Sequence, residues 1–193
     1  MGNVVHMSMS LDGFVAGPNV RVEHPMGEGG ERLHEWMFGG AGDPADARVA
    51  AEMFSTETVG AVVMGRTTFT VGEAAWGVDG TFGVPCFVVT HRAAETLVKG
   101  PTTFTFVTDG IESALAQAEA AADGKDVNVM GADTVQQLLR AGRLDEIQIN
   151  LVPVLLGDGT RLFDGLGTGH VELDRARVVE SPRMTHLTYR VTG

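Results

Sequence analysis

The stretch that decides the fold reads Asp126-Val127-Asn128-Val129-Met130-Gly131-Ala132-Asp133-Thr134-Val135, followed by Gln136-Gln137-Leu138-Leu139. It predicts a short strand that ends at a glycine and turns directly into a helix. Such a turn presents bare backbone N–H groups and the positive end of a helix dipole to an anion, for which phosphate is the obvious candidate. The same pattern also occurs wherever a parallel strand turns tightly into a packed helix. The stretch alone leaves both interpretations open.

Composition limits the class of protein and of partner. The chain of 193 residues fits a single domain over 1–193, since domains hold roughly 150 residues. Its net charge of −11 disfavours nucleic acid and anionic membranes, because both bind basic surfaces. No apolar run approaches the ~20 residues of a membrane span. The single cysteine, Cys86, lies in an apolar run and is expected to be buried rather than nucleophilic, and we expect a cytoplasmic protein.

Predicted strands alternate with helices along most of the chain. Runs that are apolar on both faces, such as 59–64 and 86–89, predict central parallel strands, and Asp43-Pro44 begins a helix that extends to Phe54. The last part differs, because 171–180 and 184–191 alternate as two strands of an antiparallel hairpin. The sequence therefore predicts an α/β domain whose mostly parallel sheet ends in an antiparallel edge.

Residues 18–44 form a long excursion that is rich in glycine, including Gly39, Gly40 and Gly42. Loops of this length in compact domains are usually functional or disordered. One or two helical turns over 31–38 carry Trp36. The excursion is either a lid over a substrate or a flap that packs Trp36 against the domain or a partner subunit.

Two neighbouring predicted strands end in similar residues. The strand at 59–64 runs into Gly65-Arg66-Thr67, and the strand at 86–89 runs into Thr90-His91-Arg92. In an open parallel sheet ligands bind beyond the carboxyl ends of the strands, so these cations and hydroxyls are expected to face one site. In an acidic chain this pairing favours an anionic ligand.

Several common sites are absent from the sequence. The six histidines are scattered and the lone cysteine cannot build a thiolate site, so no metal is expected. There is no Gly-x-Ser-x-Gly elbow, no Gly-x-x-x-x-Gly-Lys phosphate loop and no Gly-x-Gly-x-x-Gly fingerprint. A cofactor would therefore be bound mainly by strand-to-helix turns.

Four motifs in order resemble the dihydrofolate reductase superfamily, closest to the reductase domain of the bifunctional riboflavin-biosynthesis deaminase/reductase. The opening Ser8 to Gly13 is also similar to that branch. The resemblance implies a single-domain three-layer fold with helices on both faces of the sheet. The motifs are Met64-Gly65-Arg66-Thr67-Thr68-Phe69, Val88-Val89-Thr90-His91-Arg92, Val129-Met130-Gly131-Ala132 and Leu155-Leu156-Gly157-Asp158-Gly159-Thr160-Arg161-Leu162-Phe163.

The resemblance also implies NADPH as cofactor. Arg66 and Thr67 match the turn that binds the adenosine 2′-phosphate, which suits a guanidinium fork and hydroxyl donors. The remaining matches are Gly65, then Thr90, His91 and Arg92 of the next strand, then Gly131, Ala132, Asp133 and Thr134 at the diphosphate turn, and Val15, Ala16 and Gly17 beside the nicotinamide. The chain departs from the family at Met130, where a glycine is usual. Asp133 is expected to cap its helix at the N–H of Gln136.

The resemblance also suggests residues that would bind the substrate. In folate-reducing members a carboxylate on the helix before the Gly-Arg-Thr strand holds the pterin, and Asp46 or Glu52 lies there. His34, Glu35 and Trp36 are candidates for the same pocket, with Asp46 and Trp36 as the expected catalytic pair. The implied activity is hydride transfer to a heterocyclic, pterin- or pyrimidine-like, or ribose-derived small molecule.

Three further possibilities remain open from the sequence. The chain could be a non-catalytic binding or dimerisation module of the same fold, or a reductase that uses another dinucleotide or a deazaflavin. A homodimer is expected from the resemblance, with the apolar run from Ile147 to Leu156 near the subunit contact.

Overall fold

A computed structural model describes residues 1–38, 43–167 and 169–193 of the chain. Gly39, Gly40 and Gly42 of the predicted excursion lie outside the described residues. None of the described helices is both long and apolar enough to cross a bilayer. The strands are β1 (Asn3–Ser10), β2 (Phe14–Ala16), β3 (Val59–Gly65), β4 (Cys86–Val89), β5 (Leu97–Lys99), β6 (Thr102–Val107), β7 (Asp126–Met130), β8 (Glu146–Val152), β9 (Thr160–Arg161), β10 (Leu173–Glu180) and β11 (Thr185–Val191). The helices are α1 (Glu35–Phe38), α2 (Pro44–Met53), α3 (Arg66–Gly72), α4 (Ile111–Ala121) and α5 (Ala132–Arg140), with a 3-10 turn at Gly30–Leu33.

Nine strands form one sheet in the order β10-β11-β8-β1-β7-β3-β4-β6-β5. The six strands from β8 to β6 in this order run parallel to one another, whereas β11, β10 and β5 are antiparallel to their neighbours. A second sheet pairs β2 with β9. The predicted mostly parallel sheet with an antiparallel C-terminal hairpin is confirmed.

Helices cover both faces of the sheet, as predicted. In β3 alternate residues face opposite sides: Ala61 and Val63 pack beneath α4 and α5, while Val62 and Met64 pack with Phe69 of α3. This double burial explains why the run is apolar throughout. The third layer continues over α1 and α2, where Trp36, Val49 and Met53 form a smaller core with Val152 and Met184.

Sequence signals explain how α2 begins. Asp43 caps α2 by accepting a hydrogen bond from the Ala45 N–H at 2.8 Å, and Pro44 occupies the first turn.

Strand β8 lies between β1 and β11, with a neighbour on each edge. Ile147, Ile149 and Val152 of the apolar run are buried in the core, and a subunit contact near this run stays a prediction.

Candidate active site

The carboxyl ends of the central parallel strands meet at one edge of the sheet. Gly65 at the end of β3 pairs with Val89 of β4, and Met64 pairs with Met130 of β7. The turns that follow these three strands are therefore neighbours. The structure brings together the Arg66, Thr90 and Gly131 turns that the sequence predicted would face one site.

The turn at Gly131 requires a glycine for two reasons. Its φ is +94°, which residues with a side chain rarely adopt. A Cβ at this position would also lie 2.6 Å from Oγ1 of Thr68 in α3. Oγ1 of buried Thr134 lies 3.2 Å from a Cβ built on Gly65, so α3 and α5 begin in close contact. A side chain at Gly131 would therefore require Thr68 to shift.

The N-terminus of α5 carries free backbone donors. Gly131 is the N-cap, and within the described residues no side chain caps the helix. Asp133 was expected to bind the Gln136 N–H, but its Oδ2 instead accepts a hydrogen bond of 2.6 Å from Nε2 of Gln137. The expectation is wrong because Asp133 lies one turn before Gln137 inside the helix, so the two side chains share one helix face. The first N–H groups of α5 thus remain available to an anion.

Arg66 begins α3 and lies at the surface of the same edge. Its guanidinium carbon is 5.0 Å from the centroid of the Phe106 ring and 5.3 Å from that of Phe69. Both distances fall within the range of a cation–π interaction. Stacking of this kind fixes the plane of a guanidinium while its N–H donors stay at the rim, where they can bind an anion.

In the turn after β4, the Thr90 hydroxyl forms hydrogen bonds within the turn itself. Oγ1 of buried Thr90 accepts a hydrogen bond from the Arg92 N–H at 3.2 Å and lies 3.3 Å from the Arg92 carbonyl oxygen. Thr90 therefore shapes the turn, whereas His91 and Arg92 are exposed beyond it. Thr67 is exposed beside Arg66.

The loop after β1 is held by a network that the sequence reasoning missed. Oδ2 and Oδ1 of Asp12 accept the N–H groups of Gly157 at 2.8 Å and Leu156 at 3.1 Å. The Ser10 hydroxyl donates to the same carboxylate and, together with these N–H groups, lowers the pKa of Asp12 to about 2. Arg161 donates to the Asp12 carbonyl oxygen at 2.8 Å. The sequence signal was the pair of turns Asp12-Gly13 and Gly157-Asp158-Gly159.

This network positions the segment predicted to lie beside the nicotinamide. Val15 is buried and Ala16 pairs with Thr160 of β9. A Cβ on Gly17 would lie 2.0 Å from the Glu28 carbonyl oxygen, so the chain passes here only with a glycine. The segment 14–17 is therefore fixed between β9 and the excursion.

Asp46 and Trp36, the two expected catalytic residues, both contact His186. Asp46 is 4% exposed, and its Oδ1 lies 3.0 Å from Nε2 of His186, which is 2% exposed. Nδ1 of His186 lies 2.7 Å from Oδ1 of Asn150. Trp36 packs against His186 with ring centroids 5.0 Å apart, and its indole N–H donates to Oγ of Ser8 at 2.9 Å. Trp36 thus packs on the sheet of its own domain.

The buried His186 ring has a polar partner at each nitrogen, Asn150 at Nδ1 and Asp46 at Nε2. Asp46 is therefore committed to His186.

The other candidates lie apart from this cluster. Glu52 faces the outside of α2, where hydrogen bonds of 2.7 and 3.3 Å from Arg177 lower the pKa of its carboxyl group. Glu35 is exposed and pairs with Arg32 at 3.1 Å. Burial lowers the pKa of His34, whose Nδ1 has no partner among the described residues. Among the residues that the structure describes, no group of three or more His, Cys, Asp or Glu side chains could hold a metal ion.

Comparison with known proteins identifies the family. A family model described as the RibD C-terminal domain matches residues 4–187. The chain belongs to this family. No curated protein matches the chain.

Solved structures confirm the fold of this RibD C-terminal domain. A Shewanella sp. PV-4 protein named for riboflavin biosynthesis has a TM-score of 0.76 at 23% identity, over 100% of both chains. A diaminohydroxyphosphoribosylaminopyrimidine deaminase/5-amino-6-(5-phosphoribosylamino)uracil reductase of Thermotoga maritima has a TM-score of 0.66 at 13% identity, over 99% of this chain and 56% of that one. Dihydrofolate reductase of Enterococcus faecalis, complexed with NADP(H), has a TM-score of 0.62 at 16% identity, over 100% and 97%. The chain shares the fold of these proteins, dihydrofolate reductase among them.

One face of the sheet in this RibD C-terminal domain is unusually polar. Burial lowers the pKa of His6, and its Nδ1 has no partner in the part of the chain that the structure describes. The polar residues recur at every second position of three adjacent strands, namely His6 and Ser8, Gln148 and Asn150, and His186 and Thr188. This alternation was the available signal for His186, Asn150 and Ser8, which sequence reasoning missed.

Proposed function

We propose that the protein is an NADPH-dependent reductase that transfers a hydride to a small ribose-derived substrate. The proposal that NADPH is the cofactor rests on one observation. The glycine turn at Gly131, the free N–H groups of α5 and the stacked Arg66 lie at one edge of the sheet, as a diphosphate and a terminal phosphate require. The membership in the RibD C-terminal family and the shared fold with an NADP(H)-bound reductase support it.

The residues at this edge fit the parts of the cofactor. Arg66 and Thr67 would hold the 2′-phosphate, and the α5 N-terminus after Gly131 would hold the diphosphate. The segment Val15 to Gly17, fixed through Asp12, would line the nicotinamide. NADPH supplies the hydride when it is bound. The protein then contributes orientation and exclusion of water rather than covalent chemistry.

The buried Asp46 cluster favours a ribose-derived substrate over a pterin or pyrimidine. A 2-amino heterocycle is best recognised by a carboxylate with both oxygens free for two parallel hydrogen bonds. Asp46 is bound to His186, and Glu52 is bound to Arg177 on the outside of its helix. A ribose-derived substrate does not require such a carboxylate.

The alternative is a non-catalytic module of the same fold, or a reductase for another dinucleotide or a deazaflavin. Asp133 is the residue that favours it, because its carboxylate lies exposed in the first turn of α5 and opposes an anion there. Its contact with Gln137 holds the carboxylate along the helix side. Asp133→Asn would strengthen NADPH binding if the diphosphate binds at this turn.

Titration of tryptophan fluorescence with NADPH and with NADH tests the proposal. Trp76 packs 6.3 Å from Phe69, the residue under Arg66, and so reports on this edge. Loss of a charge-assisted hydrogen bond costs about 1.5–3 kcal/mol, so Arg66→Ala should weaken NADPH roughly 10- to 150-fold. NADH affinity should change little.

A control variant sharpens this test. Arg48→Ala removes another exposed arginine, on α2, and should leave both affinities unchanged. Equal losses for NADPH and NADH in Arg66→Ala would show that Arg66 does not read the 2′-phosphate. Absence of NADPH binding at sub-millimolar concentration would reject the cofactor itself.

A further inference from the structure

Gln136 connects helix α5 to the residues of strand β9 and to the residue that follows it. Its Nε2 donates hydrogen bonds to the backbone carbonyl oxygens of Arg161 and Leu162, each at 3.1 Å. Gln136 lies on the second turn of α5, about 6 Å along the axis from Ala132, where the helix begins. The first turn of α5 carries the N–H groups proposed for the diphosphate. One helix therefore carries both the phosphate turn and the hydrogen bonds to β9.

Arg161 and Leu162 in turn hold the start of segment 14–17, which is proposed to line the nicotinamide. Arg161 pairs with Phe14 in the small sheet, and its guanidinium carbon lies 4.3 Å from the centroid of the Phe14 ring. The N–H of Leu162 donates to the carbonyl oxygen of Gly13 at 3.2 Å. The position of segment 14–17 therefore depends on the two residues that Gln136 binds.

The hydrophobic core supports the same connection. Val15 and Leu162 are buried in one apolar cluster with Val135 and Leu139 of α5. Because protein interiors are close-packed, a shift of β9 away from α5 would open a cavity between them. Apolar contacts are not directional, whereas the hydrogen bonds of Gln136 are. These bonds therefore define where β9 lies along the helix.

Hydride transfer depends on this spacing. The diphosphate and the nicotinamide belong to one molecule, so the two parts of the protein that hold them must be correctly spaced. Reacting atoms must lie about 3–3.5 Å apart, and a misplacement of about 1 Å can lower the rate roughly 100-fold. The amide nitrogen of Gln136 has two protons, and both bonds go to backbone carbonyl oxygens. Gln136 therefore acts through β9.

We propose that Gln136 is a positioning residue, which sets the nicotinamide relative to the diphosphate through β9 and segment 14–17. This inference rests on the proposed binding of NADPH at this edge of the sheet. Without Gln136, the turn at the start of α5 still binds the phosphates, but the nicotinamide is held loosely. Gln136 thus contributes to the affinity for NADPH and not to the affinity for a ligand that lacks the nicotinamide.

Calorimetric titration with NADPH and with adenosine 2′,5′-bisphosphate tests this role. The bisphosphate carries the 2′- and 5′-phosphates of the adenosine half and has no nicotinamide. Gln136→Leu removes both hydrogen bonds and should bind NADPH about tenfold more weakly, as expected for the loss of one or two neutral hydrogen bonds. Its affinity for the bisphosphate should equal that of the wild type. The emission spectrum of bound NADPH should shift toward that of free NADPH, because the ring is no longer fixed.

Gln117 provides the matched control. It is exposed on α4, and its Nε2 donates to Oγ of Ser113 at 3.2 Å. Gln117→Leu should leave both affinities and the emission of bound NADPH unchanged. Gln136→Met, which keeps the length of the side chain without a donor, should reproduce the selective loss. Urea unfolding checks that each variant folds.

The two ligands separate a failure of this inference from a failure of the proposed cofactor. Equal losses for both ligands in Gln136→Leu and Gln136→Met, or no loss for either, would overturn the positioning role. Equal affinities of the wild type for NADPH and the bisphosphate would also overturn it, since the nicotinamide would then contribute nothing. A wild type that binds neither ligand would reject the proposed cofactor and this inference with it.

Discussion

Gly131→Ala tests the turn around which the candidate site is built. Gly131 adopts a φ of +94°, and a conformation of this kind costs a residue with a side chain about 1–3 kcal/mol. The added Cβ would also lie 2.6 Å from Oγ1 of Thr68, which must move. Overpacking of this kind costs a further ~1–3 kcal/mol. We expect a total loss of about 2–6 kcal/mol in the free energy of unfolding.

The chain contains a control that separates the two costs. Gly110 is the N-cap of α4, has a φ of +91°, and its added Cβ would meet no described atom within 4 Å. Gly110→Ala should therefore cost only about 1–3 kcal/mol, from the backbone conformation alone. Thr68→Ala in the Gly131→Ala background removes Oγ1 and should restore the steric part.

Urea unfolding measures these losses, and fluorescence titration with NADPH measures the consequence for binding. Gly131→Ala should weaken NADPH because α5 can no longer begin so close to α3, whereas Gly110→Ala should not. Equal destabilisation by the two alanines would refute the steric argument. Unchanged NADPH affinity in folded Gly131→Ala would refute the role of the turn in binding the diphosphate.

Three further predictions concern His186, Asp12 and Cys86. His186→Leu should lower the free energy of unfolding by about 3–5 kcal/mol, because Asp46 stays buried without its partner, whereas the double variant that also carries Asp46→Leu should recover most of the loss in urea unfolding. The pKa of Asp12 is lowered to about 2 in the folded protein, from an unfolded value of about 3.8, so the carboxylate stabilises the fold above pH 4 and this stabilisation is lost as the pH falls from 4 to 2. The urea midpoint of the wild type should therefore fall over this range, whereas that of Asp12→Asn should change less. Burial raises the pKa of Cys86, so a thiol reagent should react with it only when urea unfolds the chain.

Local sequence signals determined most of the architecture. The run from Val59 to Met64 is apolar on both faces, which only a covered parallel strand requires, and the structure places it between α3 and the α4–α5 layer. The turns after β3, β4 and β7 were predicted to meet because parallel strands share one carboxyl edge. The order of the strands in the sheet could not be predicted from the sequence. The placement of β1 between β8 and β7 depends on contacts between distant parts of the chain.

The buried polar cluster could not be predicted from local patterns. Asp46 and His186 are separated by 140 positions in the chain. Alternation of polar and apolar residues, as in β11, normally indicates a strand with one face in water. Here α1 and α2 cover that face, so the polar side chains must find partners among themselves. Only the placement of α2 over the strand distinguishes a solvated face from a buried network.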